Sequence, residues 1–471
     1  MTRLHTVLLK AALPLVISAC SGPRLETVSP PPQPSESFSV DDYVREEAVR
    51  LDWWKDLGDP RLDALVEEAL QRNADLRAAG ANLKAAQALL SEARSQRLPS
   101  GGLSTGLEVN RTPGASLQLE TIGGPAVLPT QTLADVGGSL SWELDLAGRI
   151  DALADATEAD AEKALWLTRA AQASVAANVV RAWFDLGAAD ERGAVAGEQR
   201  ELLAGIVISL DQAARIGGIR DDEARKVRIA LADIDSQVEQ ANLERRNALR
   251  RLSTLRAISA PEALQGPGPR IVDKLPVPQF VRAPRPEQVL RQRPDVAIAE
   301  LDLVRANAEI RMARADLYPR ISFGGSVGLT AQPNALGDAG ALRFGIGPSI
   351  RWGLFDMDRT RARIRAAGHK ALSAGARWEA VTLLALEETD RALDSYATAR
   401  RTIIRLESAE AETQRLVKSA TERVRAGLTS KVELARIQNE ALINRSALDA
   451  AKHTARSVWV ECQIALGAGW Q

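Results

Sequence analysis

GGSLSWELDLAGR, residues Gly137–Arg149, occurs a second time as GPSIRWGLFDMDR, residues Gly347–Arg359. At a shift of 210, Gly137, Ser139, Trp142, Leu144 and Arg149 match Gly347, Ser349, Trp352, Leu354 and Arg359. Each copy starts with the two-residue alternation of a strand and runs into a long tract with helical periodicity. A strand feeding a helix, twice over, describes a duplicated architecture, because self-similarity at a fixed spacing is the mark of repetition.

Upstream of each copy lies a second matched stretch. At a shift of 220, Leu70, Asp75, Ala79, Leu83, Ala86, Ala88, Ala93, Arg94 and Pro99 match Leu290, Asp295, Ala299, Leu303, Ala306, Ala308, Ala313, Arg314 and Pro319 without a gap. The first member reads as one helix, with Asp59 as N-cap and Pro60 in the first turn, ending near Leu98 before Pro99. After each proline comes a strand pair. In the second half, Ile321, Phe323, Gly325, Val327 and Leu329 alternate with Ser322, Gly324, Ser326 and Gly328, and the returning strand sets Phe344, Ile346, Pro348, Ile350 and Trp352 outward. In the first half, Val136, Gly138, Leu140, Trp142 and Leu144 oppose Asp135, Gly137, Ser139, Ser141 and Glu143, and the entering strand covers Leu103 to Val109. An apolar outer face and a polar inner face over about 9–11 residues suit a membrane barrel. An ordinary antiparallel sheet with one wet face has the same pattern. Polar loops, roughly 111–132 and 330–342, join the strands.

Proline-free helical tracts follow, from Arg149 to about Arg215 and from Arg359 to Arg425. Each is long enough to span roughly 100 Å at 1.5 Å per residue. Gly217 and Gly427 are natural C-terminal caps at the helix-tip turns, and helices return over about Asp221–Ala257 and Thr429–Leu466. The count is six helices per chain.

The domain order is then a signal peptide over 1–19, a Pro-rich tether with an entry segment over 20–58, and a first repeat over 59–257 with its hairpin at 103–144. A linker over 258–285, a second repeat over 286–466 with its hairpin at 321–354, and a tail over 467–471 complete it. Arg3 and Lys10 flank the apolar region of the signal, and VISAC ends on Cys20 as a bacterial lipobox does. Cys20 is the expected lipid-attachment site; ordinary signal cleavage beside an incidental cysteine is the alternative. With Cys20 acylated, Cys462 has no disulfide partner.

Composition agrees with long, closely packed helices: 45% of residues are hydrophobic but only 4% aromatic. The 60 basic and 61 acidic residues nearly cancel, so no nucleic-acid surface is expected. Beyond the signal there is no run of 18 apolar residues, so any bilayer crossing has to be a closed barrel. Four strands are too few to close one, which calls for an oligomer. No catalytic constellation is present. His5 lies in the signal, His369 and His453 stand alone on helical tracts, and neither a metal set nor a nucleotide loop can be assembled, so no cofactor beyond the covalent lipid is expected and an enzyme is not.

Together these residues resemble the outer-membrane factor family of tripartite, resistance-nodulation-division type efflux systems, the TolC/OprM/NodT lipoprotein type. The resemblance rests on the lipobox at Cys20, WWKDLGDPRLDALVEEAL, SWELDLAGR, RPDVAIAELDLVRANAEIRMARADLYPRIS, RWGLFDMDRTRAR, RVRAGLTSKVELARIQNEAL and the terminal ALGAGW. It implies a mainly α fold with a membrane β-barrel portion: a homotrimer with a twelve-stranded barrel above an α-barrel of long antiparallel helices, and an equatorial region near residues 40–60, 258–285 and the C-terminus. It implies passive export of drugs or other small solutes across the outer membrane, with a periplasmic adaptor and an inner-membrane pump as partners. It also implies a gate at the periplasmic tip. The positions matching the family's constricting apolar residue and aspartate are Val432 and Arg436, with Asp222 and Lys226 in the first repeat. Arg436 departs from the expected aspartate; a ring of arginines needs partners such as Glu433 or Asp222, and a solvated surface charge is the simpler role. Trp142 and Trp352, at matched barrel-to-helix junctions, are candidate interfacial anchors or simply packing at the hairpin base. A periplasmic adaptor and a structural coiled-coil lipoprotein are the alternatives; the first lacks membrane-type hairpins and the second lacks strands.

Overall fold

The computed structural model describes residues 34, 37, 38, 42–110, 130–215, 221–259 and 275–469. Cys20 and Gly217 lie outside these residues. The chain forms two compact units, and neither coincides with a sequence repeat. One unit takes residues 84–163 and 300–377, the other 31–83, 164–299 and 378–471, so each draws on both halves.

The helices are α1 (Pro60–Arg72), α2 (Ala74–Ser95), α3 (Arg149–Arg215), α4 (Asp221–Leu255), α5 (Pro286–Gln292), α6 (Pro294–Ala315), α7 (Met357–Arg425) and α8 (Lys431–Ala465). The strands are β1 (Val44–Arg45), β2 (Ser100–Asn110), β3 (Gln131–Leu144), β4 (Val281–Arg282), β5 (Arg320–Ala331) and β6 (Leu342–Arg351). Eight α-helices among the described residues replace the six expected, because the leading helix of each half is broken. At Asn73 the backbone turns to ψ 133°, and its Oδ1 accepts from the Asp75 and Leu76 amides, capping a new helix. At the matched Arg293 the following Pro294 excludes helical geometry and opens α6 instead.

In the first unit, β2, β3, β5 and β6 form one antiparallel sheet in that order. Gln131 and Thr132 belong to β3 rather than to the loop, and Trp352 lies one residue beyond β6 rather than in it. Charged pairs Arg94–Glu158 and Lys163–Asp302, at 3.0 and 2.6 Å, tie α2 and α6 to α3.

In the second unit, α3 bonds to α4 through Arg192–Glu244 and Arg245–Asp190, and to α8 through Arg445–Glu198 and Arg456–Glu191. Lys452–Glu407 joins α8 to α7, so the helices lie in the order α4, α3, α8, α7. The main core gathers Trp53, Trp54, Trp183 and Trp459, with Trp53 and Trp459 edge to face at 5.2 Å. Beside it β1 and β4 pair in parallel, and Val281 and Ala283 of the segment before α5 enter the same core as Trp53 and, from the C-terminal helix, Trp459. Gly469, at φ +97°, is held there by space as well as conformation, since a Cβ would lie 3.0 Å from the Trp53 indole nitrogen.

Candidate pore-forming surfaces

Strand register converts the two-residue alternation into two faces. On one, Trp142 faces Phe323, which faces Pro348; Val136 faces Leu329, which faces Leu342; and Leu103 faces Gly138, which faces Val327 and then Phe344. This face is bare within the chain: Leu103 is 94%, Phe344 79% and Ile346 75% exposed. An uncovered apolar face crossing all four strands has lipid as its natural neighbour. Glycines alternate with the large residues on it; a Cβ on Gly138 would already come within 3.3 Å of the Leu103 side chain.

The other face is polar and mostly small. Ser141, Gly324 and Gly347 form one row, and Ser139, Ser326 and Gly345 the next. Charge marks both ends. Toward the loops, the Asp135 carboxylate accepts from the Thr330 hydroxyl at 2.8 Å and from the Arg343 guanidinium, which also donates to Thr330, so one network ties β3, β5 and β6. At the other end Arg149 clasps Glu143 through two bonds of 3.0 Å. Sequence reasoning placed Asp135 on the polar face but missed Arg343, whose partner becomes known only with the β5–β6 register.

The matched tryptophans do matched work. The Trp142 indole donates to the Arg97 carbonyl at 2.9 Å and that of Trp352 to the Leu317 carbonyl at 3.1 Å, each closing the turn that leads from helix to strand. Trp352 also packs on the Leu317, Met357 and Ile364 cluster. Both indoles therefore sit at the hairpin base with their polar edge turned to protein.

At the helix tips, Gly427 ends α7 at φ +73°, with the Leu428 amide donating to the Arg423 carbonyl and its own amide to that of Val424. The Ser430 hydroxyl then accepts from the Glu433 amide and starts α8. Val432 is half-buried against the cluster of Leu203, Ile206, Leu210 and Ala224. Asp222, Lys226 and Arg436 are exposed. The structure thus brings Val432 into contact with α3 and α4 and leaves the three charged candidates at the surface.

Among the described residues, no group of three or more His, Cys, Asp or Glu could hold a metal ion, and no helix is long and apolar enough to cross a membrane. The Cys462 thiol donates to the Ala392 carbonyl at 3.2 Å, and burial raises its pKa far above the ordinary thiol range.

A bare apolar sheet face, a polar opposite face and long paired helices define a protomer of an outer-membrane channel. The chain belongs to the outer membrane efflux protein family, whose profile matches residues 65–257 and 286–468. It is 27% identical to outer membrane protein OprJ of Pseudomonas aeruginosa over 97% of this chain and 94% of that one. It is 26% identical to the probable outer membrane lipoprotein SilC of Salmonella typhimurium over 76% of each. Among solved structures it is similar to the outer-membrane channel OprN, with TM-score 0.82, 28% identity, and coverage of 96% of this chain and 99% of that one. The CmeC outer membrane channel of Campylobacter jejuni shares the fold, at TM-score 0.83, 23% identity, and coverage of 96% and 95%. The protein is an efflux channel component of the outer membrane, and the adaptor and coiled-coil alternatives are set aside.

Proposed function

We propose that three copies close into one passive exit duct of a tripartite pump, carrying drugs or other small solutes outward from an inner-membrane pump through a periplasmic adaptor. The observation that carries this reading is the sheet order. β3, the last strand of one hairpin, pairs with β5, the first strand of the next. The free edges are again a first strand, β2, and a last strand, β6. The same head-to-tail pairing can therefore continue from copy to copy until a ring closes. Bare edges are not viable in lipid, so closure is obligatory for a sheet with this apolar face. Three copies supply twelve strands.

Lipid on Cys20 fits this reading as an aid to sorting and assembly, since an acyl anchor adds little to a barrel already inserted. The turns at Gly217 and Gly427 form the periplasmic tip, where Val432 and Arg436, with Asp222 and Lys226, line the constriction. Planar-bilayer conductance of the detergent-extracted protein, with its mass taken in the same detergent, tests the reading. Discrete channel steps from a trimer support it. A monomer or dimer that stays silent even with the Gly217 and Gly427 turns loosened overturns it. For the gate, Arg436→Ala is expected to raise conductance; unchanged conductance removes Arg436 from the constriction.

A further inference from the structure

We propose that the cavity at the helix end of the sheet's polar face binds a small zwitterionic solute, one bearing a carboxylate and an ammonium group, on its way through the channel. This rests on the exit-duct reading and names a class of cargo for it. The cavity has a volume of about 720 Å³, within the size range of sites for drug-sized molecules. It is lined by charged side chains of both signs and by the serines of β2, β3, β5 and β6.

Most of the charges already have partners. Arg149 is held by Glu143 at 3.0 Å, and Arg320 by Asp316 at 2.5 Å. Two do not. Arg351 and Glu92, both exposed and both lining the cavity, take part in no ion pair among the described residues. Arg351 also faces Arg320 directly across the β5–β6 register. Like charges opposed in a sheet repel, so the guanidinium gains from an incoming anion. A solute with only a carboxylate would answer Arg351 but leave Glu92 unmatched, and a cation alone would enter a cavity with three arginines. A molecule carrying both charges neutralises both orphans at once. Ser322 and Ser349, paired one row along, offer hydroxyls to the polar atoms between its charged ends.

The probe is triglycine, compared with N-acetyltriglycine, which keeps only the carboxylate, and triglycine amide, which keeps only the ammonium. Binding to the detergent-solubilised full chain is read by saturation-transfer NMR, and block by single-channel recording. Triglycine is expected to bind about tenfold more tightly than either capped analogue, the worth of one charge-assisted contact. Arg351→Gln is expected to level triglycine with triglycine amide, and Glu92→Gln to level it with N-acetyltriglycine. Equal affinity of the three probes for the unaltered protein, or retention of the triglycine preference in both variants, overturns the proposal. Conducting channels without this preference sink the site alone; binding by a protein that never conducts sinks the duct reading alone.

Discussion

Asn73 and Arg293 stand at matched positions of the two repeats and hold the same point of the fold with different side chains. The Asn73 amide donates to the Leu255 carbonyl at 2.9 Å, and the Arg293 guanidinium to the Ala465 carbonyl at 3.0 Å. Each closes the last turn of a returning helix, α4 or α8, against the break in the leading one. Arg293 adds ion pairs of 2.7 Å to Asp295 and Glu388, with its own side chain 8% exposed. Arg293→Ala is expected to cost about 2 kcal/mol, below the full penalty of a buried pair because both carboxylates reach solvent. Asn73→Ala is expected to cost about 1 kcal/mol as a lost cap. Urea unfolding of the helical signal in detergent checks both.

The ends of those returning helices differ in one instructive way. Ala257 and Gly467 occupy the same capping position, at φ +55° and +76°. Ala257→Gly is expected to stabilise by roughly 1 kcal/mol, by removing left-handed strain. Gly467→Ala is expected to destabilise by more, since its Cβ would lie 3.1 Å from the Gln292 carbonyl as well. Opposite shifts in melting temperature are the readout.

The Asp135–Thr330–Arg343 network sets a fixed charge pair on the polar face. In the three-copy channel proposed above, Asp135→Asn leaves Arg343 uncompensated and is expected to move the reversal potential under a KCl gradient toward anion selectivity. Arg343→Gln is expected to move it the other way, and the double variant to return near the starting value.

Replacing either junction tryptophan by phenylalanine keeps the apolar ring and deletes its bond to the Arg97 or Leu317 carbonyl. Each change is expected to cost about 1 kcal/mol. If both tryptophans acted mainly through lipid headgroups, the loss would depend on lipid composition; equal losses in detergent and in liposomes are expected instead.

His453 gives the stability a pH dependence. Burial holds its pKa below the ordinary 6.5, Asp185 and Glu244 push it up, and Arg192 and Arg456 push it further down. The folded chain therefore binds the proton less readily than the unfolded one. The contribution of the neutral imidazole is fully present above pH 6.5 and is lost as pH falls below that value. Between pH 7.5 and 5.5 the unaltered protein is expected to lose more melting temperature than His453→Gln, which measures the histidine separately from the surrounding carboxylates.

The duplication, the alternation of the strands and the proline-free tracts by themselves determined that this chain is built of two strand-to-helix repeats, with long helices from Arg149 to about Arg215 and from Arg359 to Arg425, the second of which starts two residues earlier, at Met357, in the structure. Those are local signals: side-chain period, caps and breakers act within a few residues of one another. The breaks at Asn73 and Arg293 were written in the sequence too, but a periodic apolar pattern runs through both and hid them. What only the tertiary structure decided are the partners across distance. Arg343 meets Asp135, Arg293 meets Ala465 and Arg351 faces Arg320 because strand register and helix order bring them together. No local pattern encodes a register, since shifting a strand by two residues preserves the alternation and changes every partner.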